Sequence, residues 1–332
     1  MRYSIGDGVN LRGREKGLGF VPRRAFIGGF ALALSIALPA RAALTIPFPD
    51  WATVSIQDQD LGGRVHVLQG FGGNITVLAT DQGVIMVDSE YPQLAEKIRR
   101  KTSELSKGPI RYLIDTHFHW DHVGGSAGFA STGTITISSN ETRNHILDMQ
   151  RSGKALPDQY PPDPLLPPEI AVSGEMDIHL GGEIAEIIHI RHAHTDGDVI
   201  VRFVKADVIA TGDAFFNGFY PYIDVAHGGS INDAIAFCDD LYALATPRTR
   251  IVPGHGEVAN REYIKEYRAM LATVRDRVAS RIAARQTLEQ IIASKPLADL
   301  DPKWGGALIK APDFLEIVYL DLARGKSRSH ER

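Results

Sequence analysis

A dense group of metal-ligand residue types follows a predicted strand at 110–115. The segment reads Thr116-His117-Phe118-His119-Trp120-Asp121-His122. Side chains alternate along an extended backbone, so we expect His117 and His119 on the same side of the chain. Four imidazole or carboxylate side chains within six positions are enough to bind two adjacent metal ions. The pattern therefore predicts metal chemistry at this strand end.

Three more ligand types follow other predicted strands, each in a turn that contains glycine. His194 follows the strand at 184–190, and Asp213 follows the strand at 207–210. His255 follows the last short strand. Strand ends that meet at one edge of a sheet are a common location for sites in α/β folds. We therefore expect one metal site, built from His117, His119, Asp121, His122, His194, Asp213 and His255.

The other reactive side chains show no such spacing. The single cysteine, Cys238, lies in a helical apolar pattern and is expected in the core. Six histidines have no ligand-type neighbours at useful distances along the chain. We expect ordinary surface or core imidazoles at His66, His145, His179, His189, His227 and His330.

Together the ligand motifs resemble those of the metallo-β-lactamase superfamily over roughly residues 60–260. The resemblance implies an α/β fold, namely an αββα sandwich with a binuclear metal site at one edge of its two sheets. It implies a first metal bound by His117, His119 and His194 and a second bound by Asp121, His122 and His255, with Asp213 bridging the two. It also implies that Asp88, at the end of its strand, supports the ligands from behind.

The chemistry expected of this ligand set is hydrolysis. Imidazole and carboxylate without thiolate suit zinc best, with iron or manganese possible. A bound metal lowers the pKa of water to about 7, which supplies hydroxide at neutral pH. Asp121 would orient this nucleophile and pass its proton to the leaving group. We therefore expect a dinuclear zinc hydrolase that opens an ester, lactone, thioester or β-lactam-type amide bond of a small molecule.

The residue type at position 213 helps to distinguish a dedicated β-lactamase from other hydrolases of this kind. The best-known metallo-β-lactamases have cysteine at this position and a lysine three residues later, whereas here Ala214, Phe215 and Phe216 follow. A dedicated β-lactamase is therefore disfavoured, although β-lactam hydrolysis stays an alternative. An iron-dependent oxidoreductase on the same fold and a non-catalytic metal-binding protein are further alternatives. The sequence decides neither the physiological substrate nor the native metal.

Two segments beside the ligands could border a substrate pocket. Aromatic and amide residues follow Asp213, and a run of six prolines lies within residues 151–168. The proline-rich run is either a flap beside the site or a plain connector. Phe215 and Phe216 could equally be core residues under the loop, and Trp120 could pack either way. The pocket candidates are Trp120, Phe216, Asn217, Tyr220 and Tyr222.

Alternating strand and helix patterns surround these motifs, and they predict two α/β halves around stacked sheets. Residues 43–260 are expected to form the hydrolase domain. Residues 261–332 are expected to be a helical extension that packs on the same domain, with a dimer contact as the alternative. The strands are predicted at 64–68, 74–78, 84–88, 110–115, 134–138, 184–190, 199–204, 207–211 and 250–252. The helices are predicted at 94–105, 142–150, 231–245, 260–293 and 312–323.

The charge of the chain is unevenly distributed. Residues 1–42 hold 7 of the 36 basic and 2 of the 40 acidic residues, so the remainder has a net charge of −9. Arg23-Arg24, a 12-residue apolar run and Ala40-Arg41-Ala42 resemble a cleaved twin-arginine export signal. We expect recognition by the twin-arginine export machinery and a periplasmic or secreted protein, with no membrane attachment after cleavage. The acidic body disfavours nucleic acid as a partner. The oligomeric state is left open.

Overall fold

Two β-sheets stack face to face in the residues that the computed structural model describes, which are 47–152 and 165–328. The first sheet has seven strands in the order of the sequence, antiparallel from β1 to β4 and parallel from β4 to β7. Its strands are β1 (Gln57–Asp60), β2 (Val65–Gln69), β3 (Ile75–Thr80), β4 (Gly83–Val87), β5 (Ile110–Ile114), β6 (Ile135–Ser139) and β7 (Ile170–Val172).

The second sheet has six strands in the reverse order of the sequence. All neighbouring strands are antiparallel except β11 and β12, which run parallel. Its strands are β8 (Glu175–Leu180), β9 (Glu183–His189), β10 (Val199–Phe203), β11 (Val208–Ala210), β12 (Arg250–Val252) and β13 (Ala259–Asn260).

Helices cover the outer face of each sheet. Those that follow strands of the first sheet are α1 (Ala95–Leu105), α2 (Trp120–Val123), α3 (Ser126–Ala130) and α4 (Asn140–Ser152). Those associated with the second sheet are α5 (Ile231–Leu244), α6 (Arg261–Ala283), α7 (Leu288–Ala293), α8 (Asp301–Trp304) and α9 (Ala311–Arg328). No helix in the described part of the chain is long and apolar enough to cross a membrane.

Alternation along buried strands assigns their side chains to different apolar layers. Ile114 on β5 lies between the sheets with Val201 of β10, whereas the adjacent Leu113 faces outward to the layer under α1 and α3. Likewise Ile200 faces the layer under α5, α6 and α9. Each fully buried aliphatic side chain contributes about 1.5–3 kcal/mol to stability. The four layers confirm the predicted αββα sandwich with C-terminal helices.

Several element boundaries differ from the sequence-based prediction. The strands β1, β7, β8 and β13 are not predicted. The exposed positions of β1 and β8 carry mostly charged or polar residues, and β7 and β13 have only three and two residues. The predicted helix at 260–293 is divided between α6 and α7. Arg285 adopts a left-handed backbone (φ 59°), and Thr287 begins α7 with a capping box. Residues 1–42 and most of the proline-rich run fall outside the described residues.

Candidate metal centre

All seven predicted ligands lie at one edge of the sandwich. They follow β5, β9, β11 and β12, whose ends meet there. Their ligand atoms form two groups, and within each group the atoms lie within 4.8 Å of one another. The first group consists of His117, His119, His194 and Asp213, and the second of Asp121, His122 and His255.

In the first group the imidazoles present different ring nitrogens to the shared space. His194 Nε2 lies 2.9 Å from His119 Nδ1. His194 Nε2 is also 3.6 Å from Asp213 Oδ2, and His117 Nε2 is 3.9 Å from the same oxygen. His119 therefore uses Nδ1 where His117 and His194 use Nε2.

The second group surrounds a similar space. His255 Nε2 lies 3.1 Å from Asp121 Oδ2 and 3.3 Å from His122 Nε2. Asp213 Oδ1 is 3.2 Å from His122 Nε2 and 3.5 Å from His255 Nε2. Since Asp213 Oδ2 faces the first group, this carboxylate has one oxygen toward each group. That is the placement expected of a bridging ligand.

The protonation equilibria of the first group favour metal-binding forms. Burial lowers the pKa of His117 well below its usual value, and the nearby His122 and His194 lower it further. Burial lowers the pKa of His194 to about 4, although the Asp213 carboxylate opposes this. Burial opposes ionisation of Asp213, but the surrounding histidines hold its pKa well below the usual value. Neutral imidazoles and an ionised carboxylate are the forms that bind metal.

In the second group the histidines bind protons more strongly. Burial lowers the pKa of His122 and His255, but the carboxylates of Asp213 and Asp121 outweigh it and raise both pKa values. Burial raises the pKa of Asp121, but His122 and His255 bring it below its usual value. A metal that binds here must therefore displace protons from imidazoles.

The buried polar atoms fit metal ions. His117 Nε2 is fully buried and has no hydrogen-bond partner among the described residues. A buried polar atom without a partner costs free energy, so such atoms normally have one. Here the atom faces two other imidazole nitrogens and a carboxylate, the donor set that zinc prefers. The residues present thus fit two divalent metal ions.

A carboxylate behind each group orients one imidazole. Asp88 follows β4 with a left-handed backbone (φ 65°) and lies 2.8 Å from His122 Nδ1. It also accepts hydrogen bonds from the backbone N–H (2.7 Å) and hydroxyl (2.9 Å) of Thr116. The carboxylate of Asp224 lies 3.1 Å from His119 Nε2. Such partners fix the ring orientation and tautomer of a ligating histidine.

Sequence reasoning misses Asp224, and it misses the contact that His227 makes with this carboxylate. Asp224 Oδ2 lies 2.6 Å from His227 Nδ1, so the carboxylate joins His227 to His119. His227 is therefore a surface imidazole, as expected, that also contacts the support of a ligand. The spacing of Asp224 and His227, three residues apart in a turn, is the one available signal. His194 is held differently, because its Nδ1–H donates to the backbone carbonyl of Tyr222 (2.8 Å).

The pocket candidates have different positions. Phe216 stacks on His255, with ring centroids 5.6 Å apart, and the ring of Tyr222 lies 5.9 Å from both His119 and His194. Burial raises the pKa of Tyr222 to about 12, so its hydroxyl stays protonated at neutral pH. These two aromatic side chains border the ligands.

The contacts of the remaining candidates are with residues other than the ligands. Trp120 is buried in an apolar cluster with Phe118 and Leu165, and the Asn217 amide donates to the carbonyl of Glu257. Tyr220 is fully buried, and its ring stacks on Phe314 at 5.1 Å. This placement corrects the expectation that Tyr220 lines the pocket, because its apolar ring packs under the C-terminal helices instead.

The fold and the site together define an αββα protein with a place for two metal ions at one sheet edge. The family model of the metallo-beta-lactamase superfamily matches residues 68–284. The chain therefore belongs to the metallo-beta-lactamase superfamily.

Relatives within the superfamily have different activities. The chain is 26% identical over 176 residues to the 2,4-dinitroanisole O-demethylase subunit alpha of Nocardioides sp. (strain JS1661), covering 52% of this chain and 50% of that one. It is 23% identical to the linear primary-alkylsulfatase of Pseudomonas sp. (strain ATCC 19151), covering 61% and 44%. It is 24% identical to the metallo-beta-lactamase type 2 of Elizabethkingia meningoseptica, covering 56% and 70%. The chain thus spans about half the length of the first two relatives.

Solved structures show the same fold. A metallo-beta-lactamase from Pontibacter korlensis superposes with a TM-score of 0.55 at 15% identity, covering 66% of this chain and 99% of that one. A stereoselective inverting sec-alkylsulfatase from Pseudomonas sp. superposes with a TM-score of 0.60 at 17% identity, covering 80% and 50%. At these identities the likeness extends to the fold only.

Proposed function

We propose that this chain is a metal-dependent hydrolase that opens an ester, lactone, thioester or β-lactam-type amide bond of a small molecule. The observation that carries the proposal is the position of Asp213, which has one carboxylate oxygen toward each of two ligand groups. Two zinc ions held by these residues would supply hydroxide at neutral pH and a Lewis acid for the attacked carbonyl. Iron or manganese would suit the same donor set less well.

In this proposal Asp121 positions the nucleophile and moves the proton. Its Oδ2 lies 3.1 Å from His255 Nε2, and its side chain is 23% exposed, so it reaches both the second ligand group and solvent. The histidines around it favour its ionised form, which can accept a proton from water. The carboxylate can then deliver that proton to the leaving group.

The carboxylates of the site pair with histidines, and aromatic side chains border the ligands. Among the described residues, every ion pair made by Asp88, Asp121, Asp213 and Asp224 is with a histidine. No lysine or arginine of the described residues pairs with these carboxylates. Aromatic side chains of Phe216 and Tyr222 border the ligands. Apolar surface with a few polar groups is typical of small-molecule sites.

Hydrolysis of β-lactam antibiotics as the main activity is the second candidate. The name of the Elizabethkingia relative and the 70% of that protein that the chain covers favour it. Asp213 at the position where the best-known metallo-β-lactamases have cysteine, and Phe216 in place of the lysine three residues later, argue against a dedicated enzyme of that kind. We also propose that residues 1–42 direct twin-arginine export, so that the substrate is a diffusible periplasmic or extracellular compound.

A hydrolysis panel on the zinc-loaded protein tests these proposals. It should contain lactones, carboxylic esters, thioesters, β-lactams and alkyl sulfates, because the curated relatives include an alkylsulfatase. We expect zinc-dependent turnover of neutral lactones or esters above that of β-lactams. Turnover of β-lactams alone would favour the second candidate. Oxygen uptake by an iron-loaded protein without any hydrolysis would refute the hydrolase.

A further inference from the structure

The loop of residues 215–230, between Asp213 and α5, supports two ligands of the first group. The backbone carbonyl of Tyr222 accepts a hydrogen bond from His194 Nδ1 (2.8 Å). The carboxylate of Asp224 lies 3.1 Å from His119 Nε2. Among the described residues, the loop makes an isolated β-bridge, which joins Phe216 to His255. The positions of these two ligands therefore depend on what holds the loop.

The helix α8 holds the first half of the loop through Tyr220. The backbone N–H of Tyr220 donates to the carbonyl of Trp304 (2.8 Å). The hydroxyl of Tyr220 donates to Asp301 Oδ1 (3.0 Å). On α9, the ring of Phe314 stacks on Tyr220 with centroids 5.1 Å apart. Tyr220, two residues before Tyr222, is thus fixed by three separate contacts.

The helix α9 holds the second half of the loop. The half-buried Asp321 accepts hydrogen bonds from the N–H of Ile231 (2.8 Å) and the hydroxyl of Ser230 (3.2 Å), where the loop enters α5. Arg324 Nη1 donates to the carbonyl of Val225 at 2.5 Å, next to Asp224. Both ends of the segment that supports the ligands are therefore tied to the C-terminal helices.

We propose that α8 and α9 position the first ligand group, through Tyr220 and Asp321 as positioning residues. The family model ends at residue 284, so both helices lie beyond the part of the chain that defines the superfamily. A loop that is tied at both sides presents Tyr222 and Asp224 in one arrangement before metal binds. Release of either tie leaves the loop more mobile and raises the cost of ordering the first group. The proposal rests on the metal centre and does not depend on which bond is hydrolysed.

The test measures loop order and metal affinity in the full chain. Tyr220→Phe removes the bond to Asp301 but keeps the ring, and Asp321→Ala removes the acceptor for the N–H of Ile231. In metal-free protein we expect faster amide exchange of the 215–230 loop in both variants. Cobalt affinity of the first group is measured in a His255→Ala background, which lacks one ligand of the second group. In that background we expect Tyr220→Phe and Asp321→Ala each to weaken the affinity by about 10-fold. Asp321→Asn should recover part of this loss, because its amide oxygen still accepts the N–H.

Two controls separate positioning from general stability. Ile291→Val removes a methyl group from α7 in the same apolar layer, and we expect a lower melting temperature with unchanged loop exchange and cobalt affinity. A cobalt titration in a His194→Ala background reports on the second group, which Tyr220→Phe should leave unchanged.

Unchanged amide exchange of the loop and unchanged first-group affinity in Tyr220→Phe would overturn the proposal, as would equal weakening of both groups. If Asp321→Ala does not fold, Tyr220→Phe decides. None of these readouts requires hydrolysis, so a failed substrate panel and a failed positioning role are distinguishable.

Discussion

Asp213 and Asp121 differ in how they contact the two ligand groups. Asp213 is nearly buried and has its oxygens 3.6 Å from His194 Nε2 and 3.2 Å from His122 Nε2. Asp121 is partly exposed and contacts only the second group. A fully shared carboxylate can hold two metals in place but has no free oxygen to move a proton. The partly exposed Asp121 is therefore the better proton carrier.

Asp121→Asn tests that division of roles. The amide keeps the volume and one oxygen but cannot accept a proton, so we expect kcat to fall by about 10²–10⁴-fold. Metal content by elemental analysis and the circular dichroism spectrum should be recorded in parallel, because Asp121 is also a candidate ligand. Turnover equal to that of the parent protein, with metal retained, would show that Asp121 carries no proton.

Asp224→Asn tests the support of His119. The amide is a weaker acceptor for the N–H of His119 Nε2, so we expect affinity at the first group to fall by about 10–100-fold. The matched control is Asp196→Asn, because Asp196 makes a similar pair with His145 (2.6 Å) and does not contact a ligand side chain. Calorimetric zinc titration measures both. An equal loss in the two variants would assign the effect to a general change in charge.

Ligands and their supports differ in how far sequence predicts them. His117, His119, Asp121 and His122 share one strand exit, so their spacing alone indicates metal binding. The contact between His119 and Asp224 joins positions 105 residues apart, and the sequence around neither residue predicts it. Likewise the support of His194 is a backbone carbonyl, which has no residue type to recognise.

At the scale of elements, the turns after the strands decide the geometry of the site. The loop between β2 and β3 contains Gly73, whose N–H donates to the carbonyl of Asp121 (3.0 Å). A Cβ at this position would lie 2.3 Å from His122 Cε1. Glu90 holds the same loop, because its Oε2 accepts from the N–H groups of Phe71 (2.9 Å) and Gly72 (2.7 Å). The loop thus directly contacts the second ligand group.

Gly73→Ala should therefore disturb the second group selectively. The added methyl group must displace the imidazole of His122, which is held from behind by Asp88. We expect weaker metal affinity at the second group with little change at the first. Gly174→Ala is the matched control, since a Cβ there meets no atom within 4 Å. Cobalt absorption during titration reports each group, and unchanged spectra in Gly73→Ala would contradict the predicted clash.

Element prediction succeeds where burial imposes a strong pattern. The strands β4 and β10 have buried apolar runs, and both are found within one residue of the predicted bounds. The edge strand β8 is exposed at alternate positions, which carry Glu175, Asp177 and His179. Its pairing with β9 comes from backbone hydrogen bonds, which residue types do not encode. The end of α6 depends on a left-handed residue, Arg285, that sequence patterns do not indicate.

At the scale of the whole molecule, the metal site lies outside the apolar layers that hold the fold together. The layer between the sheets and the layers under the helices consist of aliphatic and aromatic side chains. Cys238 belongs to the layer under α5 and α6, where burial raises its thiol pKa to about 12. That buried position agrees with the prediction of a core cysteine. None of the seven ligands belongs to these layers.

Metal removal should therefore weaken the fold without abolishing it. Four of the seven ligands, His117, His122, His194 and Asp213, are buried beside one another, and His117 Nε2 has no hydrogen-bond partner among the described residues. Metal at 100 times its Kd stabilises the folded state by about 2.7 kcal/mol per site. For two sites in a chain of this size we expect the melting temperature to fall by about 10 °C on chelation. The far-ultraviolet circular dichroism spectrum should stay unchanged below the transition, because the apolar layers remain.

A His194→Ala/His255→Ala variant, which lacks a ligand in each group, should melt at nearly the same temperature with and without zinc. Complete unfolding of the parent protein on chelation would instead make the metals part of the folding core, and the separation between site and core inferred from the apolar layers would be wrong.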